Sequence, residues 1–348
     1  MRPRVILFPV FVITAGALAA SAAAPTARAD TAASIVELPV SFQVVNSNNT
    51  SVRCNADGKN YAVRGHIVAP KAALENPDTA TLYLHAVTFG EYYWNFKGLS
   101  GYDYATQEAA LGNVSVIVDR LGFGSSDRPP GMDMCFGSAA DVAHQIVQDL
   151  RSGHYQAESG KPPAFSHVFV GGASVGGMAS MIEDYTFHDV DGVINFAWGD
   201  FVAGPFTARV YSDTVKRCMQ GGDPGTPGYA AFALNDREEF YFYSASAEVR
   251  KAVPPMHPDP CGEILSIPAG IQADQAGEPQ IDAPVLILFG DSDVVFPPPA
   301  GKQEAAHLTG SPSVTLEMIP QASHYPLFES HHLQVVTLVN HWLKAHHP

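Results

Sequence analysis

The sequence is short of positive charge. Its 348 residues include 20 Lys and Arg against 35 Asp and Glu, which gives a formal net charge of −15. Such an excess of acidic groups repels phosphate-bearing surfaces, so we expect neither nucleic acid nor an anionic membrane surface as a partner. Small molecules remain as the expected partners.

Long apolar runs are missing after residue 20, so no later segment is expected to span a bilayer. The one long run, residues 5–20, follows the basic start Met1–Arg4 and precedes Ala27-Arg28-Ala29, a small-x-small cleavage pattern. This combination predicts a secretory signal peptide over residues 1–29 and a secreted, extracellular protein. The alternative is an uncleaved membrane anchor.

Cysteine is also scarce, and the four residues form no Cys-x-x-Cys motif, so a zinc site is not indicated. We assign no metal ligand and no cofactor. An even number of cysteines behind a signal peptide indicates disulfides, and four cysteines allow three pairings. We favour Cys54–Cys135 with Cys218–Cys261, because the second bond would close one contiguous region.

Ser174 stands in a Gly-x-Ser-x-Gly pattern within Val168–Gly177, which reads VFVGGASVGG. An apolar run precedes the serine and a helix-like segment follows it. The pattern therefore predicts a tight strand-to-helix turn with the hydroxyl at its apex. Such a turn leaves no room for side chains at positions 172 and 176, which are both glycine. The alternative is a turn of small residues with no role in catalysis.

Short apolar runs recur along the chain, separated by segments long enough for helices. Because most of these runs do not alternate with polar residues, they predict strands buried on both faces, and hence a parallel sheet wrapped by helices. The predicted strands cover residues 35–40, 61–68, 81–85, 114–119, 167–170, 192–196, 285–289 and 314–318, the first two as an antiparallel ribbon. The predicted helices include residues 139–151, 178–185, 301–308 and 333–345.

The spacing of strands breaks between residues 200 and 283. This segment is too long for one crossover connection, and it contains the aromatic cluster Phe240–Tyr243. We predict that it forms a helical cap inserted into a core made of residues 30–199 and 284–348. A second aromatic group, Tyr92–Trp94, lies in the core. Both groups are candidates for an apolar substrate pocket or for the hydrophobic core.

Asp293 and His324 follow the last two predicted strands, and functional residues gather at such strand ends in open parallel sheets. A serine hydroxyl needs an imidazole base, and that base needs a carboxylate to fix its tautomer. The order Ser174, Asp293, His324 is the order found in Gly-x-Ser-x-Gly hydrolases. We predict a triad of these three residues. Asp291 is an alternative acid, and Asp200 is a weaker one.

An oxyanion hole for this triad needs two converging N–H donors. The N–H of Val175, directly after the serine, is predicted to be the first. The second is expected from the loop after strand 81–85, where we favour Val87 over Ala86.

These residues resemble the α/β-hydrolase superfamily, in its serine esterase and haloperoxidase-like branch. His85-Ala86 with Trp94 is similar to the family's His-Gly oxyanion loop, and Asp119–Ser126 is similar to its Asp-x-x-Gly-x-Gly-x-Ser turn. The resemblance covers nearly all of the mature chain. It implies an α/β fold with a mostly parallel eight-stranded sheet, flanking helices and an inserted cap. It also implies a structural role for Asp119.

One residue departs from the family pattern: Ala86 stands where glycine is usual. The identity of the second oxyanion donor therefore stays undecided. The dehalogenases and epoxide hydrolases of this fold use aspartate as the nucleophile, so the serine at position 174 argues against these two activities. The resemblance implies a serine hydrolase without a cofactor, a carboxylesterase or lipase acting on an apolar ester. Hydrolysis of a carbon–carbon bond, a lactone or an amide uses the same triad, and a peroxidase side reaction would use the same serine. A binding protein on this fold is the alternative of another class.

Overall fold

The computed structural model describes residues 34–347, so the predicted signal peptide lies outside the described residues. The strands are β1 Ile35–Val45, β2 Asn60–Pro70, β3 Thr79–Leu84, β4 Ser115–Asp119, β5 Gln156–Ala157, β6 His167–Ala173, β7 Val193–Phe196, β8 Gly222–Asp223, β9 Thr226–Pro227, β10 Tyr229–Ala230, β11 Asp259–Pro260, β12 Val285–Gly290 and β13 Val314–Ile319. The α-helices are α1 Lys71–Glu75, α2 Tyr104–Ala110, α3 Phe136–Ser152, α4 Val175–Phe187, α5 Pro205–Met219, α6 Arg237–Tyr241, α7 Ala247–Ala252, α8 Cys261–Gly277, α9 Ala300–His307 and α10 His332–Ala345.

Nine of these strands form one sheet, in the order β13-β12-β7-β6-β3-β4-β2-β1-β5. The six strands from β13 to β4 are parallel to one another, and β2, β1 and β5 continue the sheet as an antiparallel ribbon. The predicted mostly parallel sheet is confirmed. It has nine strands rather than eight, because the two-residue strand β5, which is too short to give a pattern, pairs with the edge of β1.

The central strands are buried on both faces, as their unbroken apolar runs predict. Every residue of β4 and of β12 is buried, and so is the α4 segment from Val175 to Tyr185. Since helices cover both faces of a parallel sheet, such strands need no polar side. Because the central strands are buried on both faces, polar residues are left to the loops at the carboxyl ends of those strands.

The register brings four carboxyl ends to the same edge of the sheet. Ala173 of β6 lies beside Phe196 of β7, which lies beside Leu288 of β12. Leu288 in turn lies beside Glu317 of β13. The loops that follow β6, β12 and β13 therefore begin next to one another.

Residues 200–283 run between β7 and β12, two strands that pair directly, so this segment is an excursion from the sheet. It contains helices α5 to α8 and the short strands β8 to β11. A buried ion pair joins it to the core: Arg120 Nη1 lies 3.0 Å from Glu263 Oε2, and both side chains are at most 4% exposed. Removing one partner of such a pair leaves a buried charge and costs about 3–5 kcal/mol.

Both predicted disulfides are present, and no cysteine is free. Cys54–Cys135 links the loop before β2 to the start of α3, and Cys218–Cys261 links α5 to α8. Within residues 34–347, no helix combines the length and the apolar character needed to cross a membrane.

Candidate active site

Ser174 occupies a turn that strains the backbone. It lies between β6 and α4 with φ 52° and ψ −123°, a combination that non-glycine residues seldom adopt. A Cβ atom at Gly172 would lie 2.1 Å from the backbone of Gly176, and one at Gly176 would lie 2.3 Å from the Leu84 carbonyl oxygen. The predicted reason for both glycines is therefore correct. The Ser174 N–H donates to the Phe196 carbonyl at 2.7 Å, which holds the turn against the neighbouring strand.

His324 and Asp293 are in direct contact. His324 Nδ1 lies 2.9 Å from Asp293 Oδ2, and both side chains are fully buried. The carboxylate accepts, so Nδ1 carries the proton and Nε2 keeps its lone pair. Nε2 is buried and has no hydrogen-bond partner among the described residues. An imidazole held in this way is ready to accept a proton at Nε2.

The other oxygen of Asp293 is also occupied, because Oδ1 accepts the N–H groups of Val295 at 2.7 Å and Phe296 at 3.1 Å. The alternative acids lie elsewhere. Asp291 is exposed, and its carboxylate accepts from the neighbouring Ser292 hydroxyl. Asp200 is buried, and its backbone N–H donates to Glu304. Neither of them contacts His324 in the described chain.

A cavity of about 290 Å³ opens beside Ser174. The core contributes Val87, Ser174 and Val175 to its wall, and most of the remaining wall belongs to residues 203–271 of the excursion. Phe240 and Phe296 line the cavity and also flank His324, with ring centroids 5.9 and 5.6 Å from the imidazole. The serine therefore lies in the wall of this cavity, and two aromatic side chains of the same wall flank the imidazole.

The aromatic groups noted in the sequence divide between this cavity and the core. Phe240 lines the cavity. Tyr241 stacks on Phe89 at 4.6 Å, Tyr93 and Trp94 are completely buried in the core, and Tyr243 is 58% exposed. Of these aromatics only Phe240 belongs to the wall of the cavity, whereas Tyr93, Trp94 and Tyr241 pack in the interior and Tyr243 faces solvent.

The loop after β3 is held in place by His85. The Arg120 N–H donates to His85 Nε2 at 3.0 Å, so the ring proton is on Nδ1, which donates to the Ala86 carbonyl at 2.8 Å. Burial and the positive charge of Arg120 hold the pKa of His85 well below its usual value, which keeps the ring neutral. The Val87 N–H belongs to the same trans peptide as the Ala86 carbonyl, so it points away from His85.

Val87 and Val175 are the two predicted oxyanion donors. Both line the cavity with Ser174, and neither N–H donates to another described residue. Ala86 has no side chain or backbone group in the wall of this cavity. Of the two alternatives in the loop, Val87 is therefore the one placed beside the serine.

Thr88 ties the same loop to the excursion, through Tyr241 of the aromatic cluster and through Asp259 and His257, to which the sequence analysis gave no role. Its φ is 64°, and its N–H donates to Asp259 Oδ1 at 2.6 Å. Its carbonyl accepts the His257 N–H at 2.8 Å, and its hydroxyl lies 2.6 Å from the Tyr241 hydroxyl. Burial raises the pKa of Asp259 to about 7. No sequence pattern could reveal these contacts, because 171 positions separate Thr88 from Asp259.

The model of a known family, described as the alpha/beta hydrolase family, matches residues 82–338 of this chain. A comparison with curated protein sequences gives no match.

Solved structures share the fold at low sequence identity. A thermophilic esterase from Thermogutta terrifontis, determined with malate bound, is 18% identical with a TM-score of 0.59, covering 88% of this chain and 100% of that one. A monoacylglycerol lipase from Paleococcus ferrophilus is 17% identical with a TM-score of 0.55, covering 77% and 96%. A protein assigned as a non-heme bromoperoxidase from Mycobacterium tuberculosis is 15% identical with a TM-score of 0.59, covering 85% and 99%. The likeness confirms the fold class that the sequence predicted.

Proposed function

Because the chain belongs to the alpha/beta hydrolase family, we propose that it is a secreted serine hydrolase that cleaves carboxylic esters. Ser174 is the nucleophile, His324 the general base and Asp293 the carboxylate that orients the imidazole. The observation that carries this proposal is the buried Asp293–His324 hydrogen bond next to the cavity that contains Ser174.

In the proposed reaction, Ser174 Oγ attacks the ester carbonyl while His324 Nε2 takes the hydroxyl proton. The N–H groups of Val175 and Val87 stabilise the oxyanion of the tetrahedral intermediate. When that intermediate collapses, His324 returns the proton to the leaving alcohol, and an acyl-enzyme remains on Ser174. Water, deprotonated by His324, then attacks the acyl carbonyl and releases the acid.

The wall of the cavity supports an apolar acyl or alcohol group in the substrate. Phe232, Phe240, Ile267 and Ile271 line it, and no Lys, Arg, Asp or Glu belongs to the described wall. A site without a charged side chain has nothing to pair with an ionic substrate group. All four apolar residues belong to residues 200–283, and we assign this excursion the role of a cap that sets the choice of substrate.

Secretion is part of the proposal. It rests on the predicted signal peptide and is supported by the two disulfides, since such bonds persist in oxidising compartments. The esterase from Thermogutta terrifontis and the lipase from Paleococcus ferrophilus, which share the fold, make an ester the first substrate to test.

The test is hydrolysis of p-nitrophenyl esters, from acetate to long acyl chains, by the wild-type protein and Ser174→Ala. We expect the wild type to be active and the hydrolysis rate of the variant to be lower by about a thousandfold or more, because the acyl-enzyme cannot form. The matched control is Ser180→Ala, a buried serine of α4 whose hydroxyl bonds to the Gly176 carbonyl at 2.9 Å. This control should keep its activity within a few-fold.

Two results would contradict the proposal. A Ser174→Ala protein that is folded and still active would place the chemistry elsewhere. A wild-type protein that hydrolyses no ester in the series but reacts with a serine-directed phosphonate would keep the triad and redirect the search to lactones, amides or carbon–carbon bonds.

A further inference from the structure

Four carboxyl groups meet beneath the cavity, outside the proposed triad. They belong to Asp200 after β7, Asp274 near the end of α8, Glu278 just after α8 and Glu304 in α9. Asp200 is 8% exposed and the other three are completely buried. Burying one charged carboxylate is costly, and burying four side by side requires a compensating positive charge or bound protons.

The oxygens of this acidic cluster, Asp200, Asp274, Glu278 and Glu304, are mostly without donors. Asp274 accepts from Tyr185 and from Trp198 Nε1, at 3.1 and 3.0 Å. Glu304 Oε2 accepts the Asp200 N–H at 3.2 Å. Both oxygens of Asp200, both oxygens of Glu278 and Glu304 Oε1 are buried without a well-formed hydrogen bond from a described donor, and the Glu278 and Glu304 carboxyl groups face each other.

No basic side chain of the described residues pairs with the cluster. None of the ion pairs found within residues 34–347 involves any of the four carboxylates. His307 acts on Glu304 through its charge alone, and its Nε2 lies 2.8 Å from the Gln275 carbonyl oxygen. Burial and the neighbouring carboxylates raise the pKa of Asp200 to about 11 and also raise the pKa values of Asp274 and Glu278, and burial raises the pKa of Glu304.

The spacing of the oxygens fits one hard cation. One carboxylate oxygen each of Asp200, Asp274 and Glu278 lies within 4.8 Å of the other two. Oxygens bonded to one Ca²⁺ ion at about 2.3–2.6 Å lie at most about 4.6–5.2 Å apart, so three oxygens within 4.8 Å of one another are close enough to share the ion. The donor set contains no nitrogen or sulfur, which argues against zinc. Mg²⁺ demands a near-ideal octahedron and is usually held by one or two carboxylates, fewer than meet here.

We propose that Asp200, Asp274 and Glu278 form a Ca²⁺ site, with the Glu304 carboxylate beside it. Each of the three offers one carboxylate oxygen as a ligand, and the ion neutralises charge that no described basic group neutralises. The sequence did not indicate this site, because the carboxylates of the cluster come from three separate stretches of the chain and include no spaced motif.

The position of the site gives the ion a structural task. It joins the loop after β7 and helix α9, both of the sheet core, to the end of α8 in the excursion. Ile267 and Ile271 of α8 line the cavity, and so does Trp198, which donates to Asp274. Ca²⁺ bound here holds one wall of the cavity against the core.

The first experiment is thermal unfolding of the purified, EDTA-treated protein with and without CaCl₂. An ion that binds the folded state raises Tm by mass action, and we expect a rise of at least about 3 °C at saturating Ca²⁺. The second is luminescence of added Tb³⁺, which takes the same oxygen ligands, under tryptophan excitation. Trp198 contacts the cluster, so sensitised emission should appear and should fall when Ca²⁺ competes.

The test variant is the double substitution Asp200→Asn and Glu278→Gln, which keeps the shape of both side chains and removes two negative charges. We expect this double variant to lose both the Ca²⁺ shift and the Tb³⁺ emission, and to unfold in EDTA no lower than the wild type because repulsion is relieved. The matched control is Asp213→Asn, an exposed acid on α5. It should respond to both ions as the wild type does.

Absence of both the Tm shift and the sensitised emission in the wild type would overturn the site, and protons would then neutralise the cluster. An equal Ca²⁺ response in the double variant would overturn it too. The proposed ester hydrolysis does not depend on this result, since Ser174→Ala tests it separately.

Discussion

Asp293 and Asp291 are two residues apart in one turn, yet their surroundings differ completely. Asp293 is buried, with one oxygen on His324 and the other on two backbone N–H groups, whereas Asp291 is exposed. The backbone donors fix the carboxylate, and the carboxylate fixes the imidazole. The proposed roles of these acids therefore differ by geometry, not by residue type.

Asp293→Asn should lower kcat for ester hydrolysis on the order of a thousandfold to ten-thousandfold, because an amide no longer enforces the Nδ1–H tautomer of His324. Asp291→Asn is the matched control and should stay within about twofold of the wild type. The measurement is steady-state kinetics on the preferred p-nitrophenyl ester. A large loss in Asp291→Asn together with an active Asp293→Asn would reverse the assignment.

At this scale, part of the site could be predicted from the sequence and part could not. The Gly-x-Ser-x-Gly pattern predicted the strained turn at Ser174, since only glycine fits at 172 and 176. The sequence favoured Asp293 over Asp291 without deciding between them, because both acids flank one turn. Asp259 was missed altogether, since its carboxylate reaches Thr88 across 171 positions.

The loop after β3 shows how one element depends on another. Arg120 and His85 hold its start from the core side, and Asp259, His257 and Tyr241 hold Thr88 from the excursion. Thr88 keeps a positive φ, which costs energy that its surrounding hydrogen bonds must offset. The excursion thus holds the backbone next to Val87, the proposed oxyanion donor.

Asp259→Asn should lower kcat about tenfold to a hundredfold with little change in KM. Its amide cannot accept from both the Thr88 and the Phe232 N–H groups, so the peptide beside Val87 shifts. Asp223→Asn is the matched control, because Asp223 also accepts a backbone N–H within the excursion, from Ala231 at 2.9 Å. Equal losses of kcat in both variants would show a general effect on folding instead of a positioning role for Asp259.

For the whole molecule, unbroken apolar runs were enough to predict the central strands and the helices between them. The excursion was harder to predict. Its strands β8 to β11 have two residues each, too few to show a period, and α8 carries Pro268 in its interior, where sequence rules predict a break. The acidic cluster shows the same limit, since burial of Glu278 and Glu304 is decided by packing between elements that are distant in sequence.

Buried acids make the stability of the whole protein depend on pH. Burial raises the pKa of Glu108 from 4.5 to about 8, and one of its oxygens has no partner in the described chain. Between pH 4.5 and pH 8, Glu108 therefore keeps a proton in the folded state that it has lost in the unfolded state. Glu108 therefore contributes stability that is fully present below about pH 4.5 and is lost as pH rises through 8.

Glu108→Gln should remove this dependence, because glutamine does not titrate and can still accept the Asn113 amide hydrogen bond. We expect the variant's free energy of unfolding, relative to the wild type, to rise between pH 5 and pH 9 by at most about 1.4 kcal/mol per pH unit. Urea unfolding of both proteins across this range measures the difference. Contributions from the acidic cluster are common to both proteins and cancel in that difference. A gap that stays constant across the range would mean that the Glu108 carboxyl is already ionised in the folded protein at pH 5.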